Sequence, residues 1–238
     1  MIKAVLFDLD GTLIPMDQEL FVKDYMKRLA GTMALHGYDP KRMVEALWKG
    51  TAASMMNTGE KTNEEAFWQV ARALLGDRVM EDMPLFERFY ETEFDKVKEV
   101  CGFDPQAAET VRFCKNTGLR VILATQPIFP AAATNRRIRW AGLAPEEFEL
   151  VTTYENSRFA KPALQYYEEI LQKCGLNGED CLMVGNDTHD DLPAAKLGMK
   201  FFLLTHSLIN EAGLDISQYP NGGFDDLQSY ISALQQEA

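Results

Sequence analysis

The stretch VGNDTHDD at 184–191 sets three aspartates, Asp187, Asp190 and Asp191, behind a short apolar run. Alone, such a cluster reads as a solvated helix start or as half of a metal site. The distinction depends on what stands at the ends of other strands. IKAVLF at 2–7 is a short β-favouring run closed by an Asp-Gly turn, so it reads as a buried strand that delivers Asp8 and then Asp10-Gly11-Thr12. LRVILA delivers Thr125, followed by Gln126 and Pro127. A loop before a helical stretch brings Lys161 beside Pro162, and CLMVG delivers Asn186 and Asp187, with Asp191 just inside the next helix. Ligands of open parallel sheets bind beyond the carboxyl ends of the strands. Carboxylates, a hydroxyl and an amine gathered there could hold one divalent cation and one phosphoryl group. A carboxylate such as Asp8 can attack phosphorus and divide one hard displacement into two. A neighbouring carboxyl such as Asp10 could move protons, provided the two pKa values differ.

The elements that must position these residues change period twice. After the first strand, residues 17–100 are helical throughout: Leu20, Phe21, Tyr25, Leu29 and Met33 recur at helical spacing, then Met43, Val44, Leu47 and Trp48. Thr62 and Glu65 form a capping-box signature before a third helix, and Phe86, Phe89, Tyr90 and Phe94 line a fourth at about 81–97. From Asp104-Pro105 onward, helix and strand alternate: helix 105–116, strand 119–124, helix 131–141, strand FELVTTY, helix 162–173, strand 181–184, helix 190–197, strand KFFLLT and helix 224–236. The fold class expected is α/β, a Rossmann-like parallel sheet with an inserted α-helical bundle. The core takes residues 1–15 and 101–238, and the insert 16–100.

Bulk composition narrows the partners. The chain has 238 residues, 46% of them hydrophobic, and a formal net charge of −12. That balance argues against a nucleic-acid backbone or an anionic membrane surface. No segment is apolar over the roughly 18 residues a membrane span needs. Cys101, Cys114, Cys174 and Cys181 make neither a CxxC pair nor a disulfide-scaffold spacing, so they read as thiols of a reducing, cytoplasmic compartment.

FDLDGT, the strand-terminal threonine of VILATQP, the AKP before a helix, and VGNDTHDD stand in the order found in the haloacid dehalogenase-like (HAD) hydrolase superfamily, which this chain resembles over its whole α/β part. The helical insert falls where that family carries a cap. The resemblance implies a Mg²⁺-dependent phosphohydrolase of a small phosphorylated metabolite, working through an aspartyl-phosphate. It gives Asp8 the attack, and Asp10 the general acid/base role with a backbone carbonyl on the metal. The family's metal-independent dehalogenases lack this second acid. Thr125 would bind a phosphoryl oxygen and Lys161 would offset the charge shared by Asp8 and the phosphoryl group. Relatives often have Asn where Gln126 stands. By strand register Asn186 takes the first metal position, while by charge Asp187 pairs better with Asp191. Mg²⁺ accepts hard oxygens of either kind, and register gives Asn186 a slight lead. Asp191 would orient Lys161 or a water, and Asp190 would cap the helix. A phosphomutase or a phosphonate-cleaving enzyme would share every core motif. A non-catalytic relative should have lost Asp8 or Asp10.

Other residues carry blander expectations. His189 reads as exposed, and RRIR at 136–139 as a solvated helix face. Trp48, Phe67 and Trp68 read as bundle core. Lys49, Thr51, Asn57 and Lys61 are insert residues that could reach a leaving group.

Overall fold

In the computed structural model, which describes residues 1–236, the chain opens with β1 (Ala4–Phe7). Five helices follow, α1 (Gln18–Ala34), α2 (Pro40–Met55), α3 (Asn63–Leu75), α4 (Arg78–Glu81) and α5 (Met83–Glu91), and the chain returns through a 3-10 segment at Phe94–Val100. Helices and strands then alternate as α6 (Pro105–Asn116), β2 (Arg120–Leu123), α7 (Ala131–Trp140), β3 (Leu150–Val151) and α8 (Leu164–Cys174). The chain closes with β4 (Cys181–Gly185), β5 (Lys200–Leu204), β6 (Asn221–Gly222) and α9 (Phe224–Gln236). The strands form one parallel sheet of order β3-β2-β1-β4-β5-β6. This is the α/β, Rossmann-like sheet expected. The chain lays β2 and β3 on one side of β1 and the later strands on the other, which places the topological switch beside β1.

Each central strand is buried on both faces. Val5, Phe7, Val121, Leu123, Leu182 and Val184 pack into one core layer, and Ala4, Leu6, Ile122, Ala124 and Met183 into the other. A strand covered on both sides needs a continuous apolar run, which is what β1 and β4 carry. No helix among the described residues is long and apolar enough to cross a membrane.

The helix starts follow their local chemistry. Asp17, Asp39 and Asp104 each accept a backbone N–H as N-caps, and Thr62 with Glu65 closes the capping box on α3. The helical segment rests on the rest of the molecule through aromatic rings. Phe94 stacks on Trp140 at 5.0 Å, and Tyr25 meets Phe129 edge-on at 5.4 Å. Met16 pairs with Cys101 in an antiparallel bridge, so the outgoing and returning chain run side by side. Asn63 donates to the carbonyls of Pro127 (3.0 Å) and Phe159 (3.1 Å), tying the start of α3 to two loops above the sheet.

Several expected elements differ. The helix expected at 81–97 breaks into α4, α5 and the 3-10 segment, because Pro84 cannot continue a helix begun before it and sits instead in the first turn of α5. Strand FELVTTY shortens to Leu150–Val151, since Asn156 Oδ1 accepts the Thr153 N–H at 2.9 Å and turns the chain away. The helix expected at 190–197 is a 3-10 turn, Leu192–Leu197, with Pro193 inside it. β6 is too short and polar to leave a pattern. Trp48 is not core: Met43, Ala46, Leu47 and Gly50 form the buried face of α2, and Trp48 lies one step off it, 54% exposed. Leu20 is exposed for the same reason, as Phe21 takes the inward position.

The contact between α2 and α3 is testable at Gly50, where an added Cβ would lie 2.7 Å from the buried ring of Phe67. Gly50→Leu should destabilise the protein by about 1–3 kcal/mol in urea unfolding, through overpacking. Gly31→Ala, where an added Cβ meets nothing within 4 Å, should instead stabilise α1 by about 0.5–1 kcal/mol.

Candidate active site

Asp8 leaves the end of β1 with both carboxylate oxygens engaged. Lys161 Nζ donates to Oδ1 at 2.8 Å, and the Thr12 hydroxyl lies 2.9 Å from Oδ2. That hydroxyl also lies 2.9 Å from Asn186 Oδ1, and it has one proton for two acceptors. Asn186 is turned this way because its Nδ2 donates to the Ser207 carbonyl at 2.7 Å. Gly11 makes the approach possible: its φ is +84° and a Cβ there would stand 2.4 Å from Asn186 Nδ2. Thr12 was visible in FDLDGT but given no role, and its short reach after a glycine turn is the signal for one.

Lys161 also donates to Asp191 Oδ1 at 2.6 Å. Asp191 Oδ2 accepts the backbone N–H groups of Asn186 and Asp187, both at 3.1 Å, so this side chain folds back over its own turn. A Cβ at Gly185 would collide with that oxygen at 2.0 Å. Burial alone would strip the proton from Lys161; the facing Asp191 and Asp8 carboxylates outweigh it and raise its pKa well above the ordinary lysine value. Burial likewise raises the Asp191 carboxyl, with Lys161 pulling it back. The expectation that Asp191 orients Lys161 matches this geometry.

The cap expected of Asp190 falls to Asp187. Asp187 Oδ1 accepts the N–H groups of His189 (2.7 Å) and Asp190 (3.2 Å), so Asp187 caps the turn. Asp190 does not cap it, because its Oδ2 accepts from Gln126 Nε2 at 3.1 Å. The Gln126 amide clasps the Lys161 main chain, accepting its N–H at 3.0 Å and donating to its carbonyl at 3.2 Å. The Gln126 side chain thus holds the lysine main chain while Gln126 also lines the cavity. Thr125 is fully buried, and its Oγ1 has no hydrogen-bond partner. His189 is exposed, as expected.

Asp10 holds a partner that the sequence reading missed. Its Oδ2 forms an ion pair with Arg137 Nη1, while Oδ1 is buried without a partner. Arg137 is wholly buried, its guanidinium 4.2 Å from the Phe129 ring centroid, and it overturns the expectation of a solvated face at 136–139. Arg136 reaches Asp95 and Arg139 is exposed, but Arg137 lies on the inner face of α7 with Ala133, Thr134 and Ile138. Spacing carried that signal: residues 133, 137 and 141 are successive i, i+4 positions on one side. Burial raises the Asp10 pKa, Arg137 lowers it and Asp8 raises it, with a net upward shift.

Asp8, Asp10, Lys161, Asn186 and Asp187 thus line one cavity of about 190 Å³ at the carboxyl edge of the sheet. Among the described residues no three His, Cys, Asp or Glu side chains converge as a metal cluster. The available oxygens are instead the Asp8 carboxylate, the Asn186 amide, the Asp10 carbonyl and Asp187. Mg²⁺ fits such a set, since it keeps several waters and often takes only one or two carboxylates. The unshared acceptor beside Thr12 and the orphan oxygens on Asp10 and Thr125 fit a site that binds something more, because a buried unpaired polar atom costs about 1–3 kcal/mol. Of the insert residues named as candidates, Lys49 pairs with Glu45 and Lys61 bonds Gln69. Asn57 bonds the Lys61 carbonyl and Asn63, and only Thr51 lines a cavity near the site.

Comparison with known proteins agrees with this arrangement. The chain is 26% identical over 215 residues to Pyrophosphatase PpaX of Bacillus cereus (strain AH820), a match covering 90% of this chain and 88% of that one. The crystal structure of a HAD phosphatase from Thermococcus onnurineus superposes with a TM-score of 0.60 at 17% identity, covering 97% of this chain and 98% of that one. A predicted phosphoglycolate phosphatase from Haemophilus somnus 129pt gives 0.58 at 16% identity, with the same coverage of 97% and 98%. A model of the haloacid dehalogenase-like hydrolases matches residues 2–198. The chain belongs to the haloacid dehalogenase-like hydrolase family, and it is an enzyme.

Proposed function

We propose that the enzyme is a Mg²⁺-dependent phosphohydrolase that removes phosphate from a small phosphorylated molecule through an aspartyl-phosphate on Asp8. The observation that carries this reading is the buried Asp8–Lys161 contact on the wall of a cavity that Asp10, with one unpartnered carboxylate oxygen, also lines. Family membership and the printed activities of the relatives support it. We read residues 1–15 and 101–238 as the core, 16–100 as a cap, and the paired strands of chain near Met16 and Cys101 as its hinge. Four free thiols support a reducing, cytoplasmic setting.

Each residue then has a task. Asp8 Oδ2, on the side of Thr12 and Asn186, is the oxygen that would help hold the metal, and Oδ1, beside Lys161, attacks phosphorus. Lys161 shares the negative charge gathering between Asp8 and the phosphoryl oxygens. Thr125 Oγ1 donates to one of those oxygens, and Gln126 contributes by holding Lys161 in place. Asp10 keeps Oδ2 on Arg137, leaving Oδ1 to carry the proton to the leaving oxygen and to take one from the attacking water. Asp8, Asn186 and the Asp10 carbonyl would hold Mg²⁺, with Asp187 acting through water, and the ion would supply positive charge to the phosphoryl oxygens. Asp191 orients Lys161.

Asp8→Asn should lower Mg²⁺-dependent phosphate release on the order of 10³-fold or more, and EDTA should abolish it; full activity in either condition overturns the mechanism. In calorimetric titration, Asn186→Ala should weaken Mg²⁺ binding on the order of 10- to 100-fold and Asp187→Ala by less. The reverse order would make Asp187 the ligand. Arg137→Met should cost about 3 kcal/mol in urea unfolding, because it strands a buried carboxylate. Adding Asp10→Asn to that variant should recover part of the loss, as the double-mutant cycle would measure.

A further inference from the structure

The helices enclose a second cavity, of about 310 Å³, directly beside the phosphoryl site. Val22, Met55, Ile128 and Phe129 belong to the walls of both, so the two spaces adjoin. The rest of the wall is mainly aromatic, with Tyr25, Phe67, Trp68, Phe86, Tyr90 and Tyr154. The polar ends of these rings are turned on one another. The Tyr25 and Tyr90 hydroxyls share a hydrogen bond of 2.8 Å, and Trp68 Nε1 donates to the Tyr154 hydroxyl at 3.3 Å. Apart from Thr51 and three glutamates, what these rings offer an occupant is mainly ring face, set among aliphatic surface.

The charges around this cavity have one sign. Glu64, Glu87 and Glu155 line it, and no lysine or arginine does. Glu155 is committed to the N-terminus of α7, where it accepts the Ala131 N–H at 2.8 Å. Glu64 and Glu87 are the free pair. The nearby cation, Arg137, is screened by the Phe129 ring and spent on Asp10. An anionic leaving group entering this space would meet carboxylates and no counter-charge, and would exchange its hydration for ring faces. An apolar group would bury its surface against those rings.

We propose that this cavity receives the leaving group, and that the substrate is a phosphate monoester of a bulky apolar alcohol carrying no negative charge. Pyrophosphate and phosphorylated carboxylic acids are then poor substrates, whatever the activities of similar proteins. The inference rests on the phosphohydrolase reading of the Asp8 site, and concerns only what leaves from it.

The test compares kcat/KM of the full-length enzyme with Mg²⁺ on 2-phenylethyl phosphate, ethyl phosphate, phosphoglycolate and pyrophosphate. 2-Phenylethyl phosphate should exceed ethyl phosphate on the order of 10- to 100-fold, the gain from burying an aromatic group. It should exceed both anionic compounds by more. Thr51→Trp, which fills the cavity from α2, should shrink the ratio of 2-phenylethyl to ethyl phosphate. Glu64→Lys combined with Glu87→Lys should raise pyrophosphate relative to 2-phenylethyl phosphate on the order of tenfold. The wild-type ranking needs no variant to fold. Phosphoglycolate or pyrophosphate matching or exceeding 2-phenylethyl phosphate overturns the inference and leaves the phosphohydrolase reading intact. If no compound releases phosphate, and water oxygen does not exchange into inorganic phosphate, the reading of the Asp8 site falls and this inference with it.

Discussion

A lysine ammonium buried with 1% of its side chain exposed, between two carboxylates, is the constraint on which the site is built. Removing such an ion from water costs several kcal/mol, and only close, well-oriented opposite charges offset it. Lys161 therefore demands that Asp8 and Asp191 arrive from two different strands within hydrogen-bond reach. Asp8 does so because β1 ends directly before it. Asp191 does so because Gly185 leaves room for its carboxylate to fold back onto the amides of Asn186 and Asp187. The main chain of Lys161 is held on both sides by Gln126, which follows the end of β2. One buried cation thus locks together the loops after β1, β2 and β4, and the cavity for phosphate is the space they leave.

A second buried cation fastens the helical layer to this frame. Arg137 rises from α7 to Asp10, and the ring of Phe129 covers it while also meeting Tyr25 of α1. The guanidinium, the catalytic loop and the helical segment share one contact region, so the position of α1 and the orientation of Asp10 depend on each other. A buried ion pair of this kind adds little net stability, but removing one partner is costly. Its value here is geometric: it commits one oxygen of Asp10 and leaves the other without a partner.

The sheet, its strand ends and the groups standing there were legible in the sequence because each rests on local chemistry. A continuous apolar run forces a doubly covered strand, and an Asp-Gly or Gly-Asn-Asp break forces a polar group to its end. Caps at Asp17, Asp39 and Thr62 were equally local. What stayed hidden required knowing neighbours across the fold. Arg137 carries the same charge as Arg136 and Arg139, and only the packing of α7 separates it from them. Asp187 rather than Asp190 caps the turn, and Asp190 is engaged by Gln126, more than sixty positions away. Trp48 was misplaced by a single position on the helical wheel, where β-strand burial would have been unambiguous and helical burial is graded.

On the proposed reading, the charges of the site also account for a cation drawn from outside. Asp8, Asp10 and Asp191 face Lys161 and Arg137, three negative groups against two positive ones, and Asp187 and Asp190 add further acidity at the rim. A phosphate monoester brings up to two more negative charges into a space where water screens little. Nothing in the helical wall supplies compensation, since no lysine or arginine lines the second cavity and its carboxylates are glutamates. A divalent ion held by Asp8, Asn186 and the Asp10 carbonyl would, on that reading, restore balance at the edge that receives the phosphoryl group. On the proposed reading the two tasks would be separated in space. The sheet edge, with an imported cation, would handle the charge that every substrate of the reaction shares, and the aromatic helical layer would handle the part in which substrates differ.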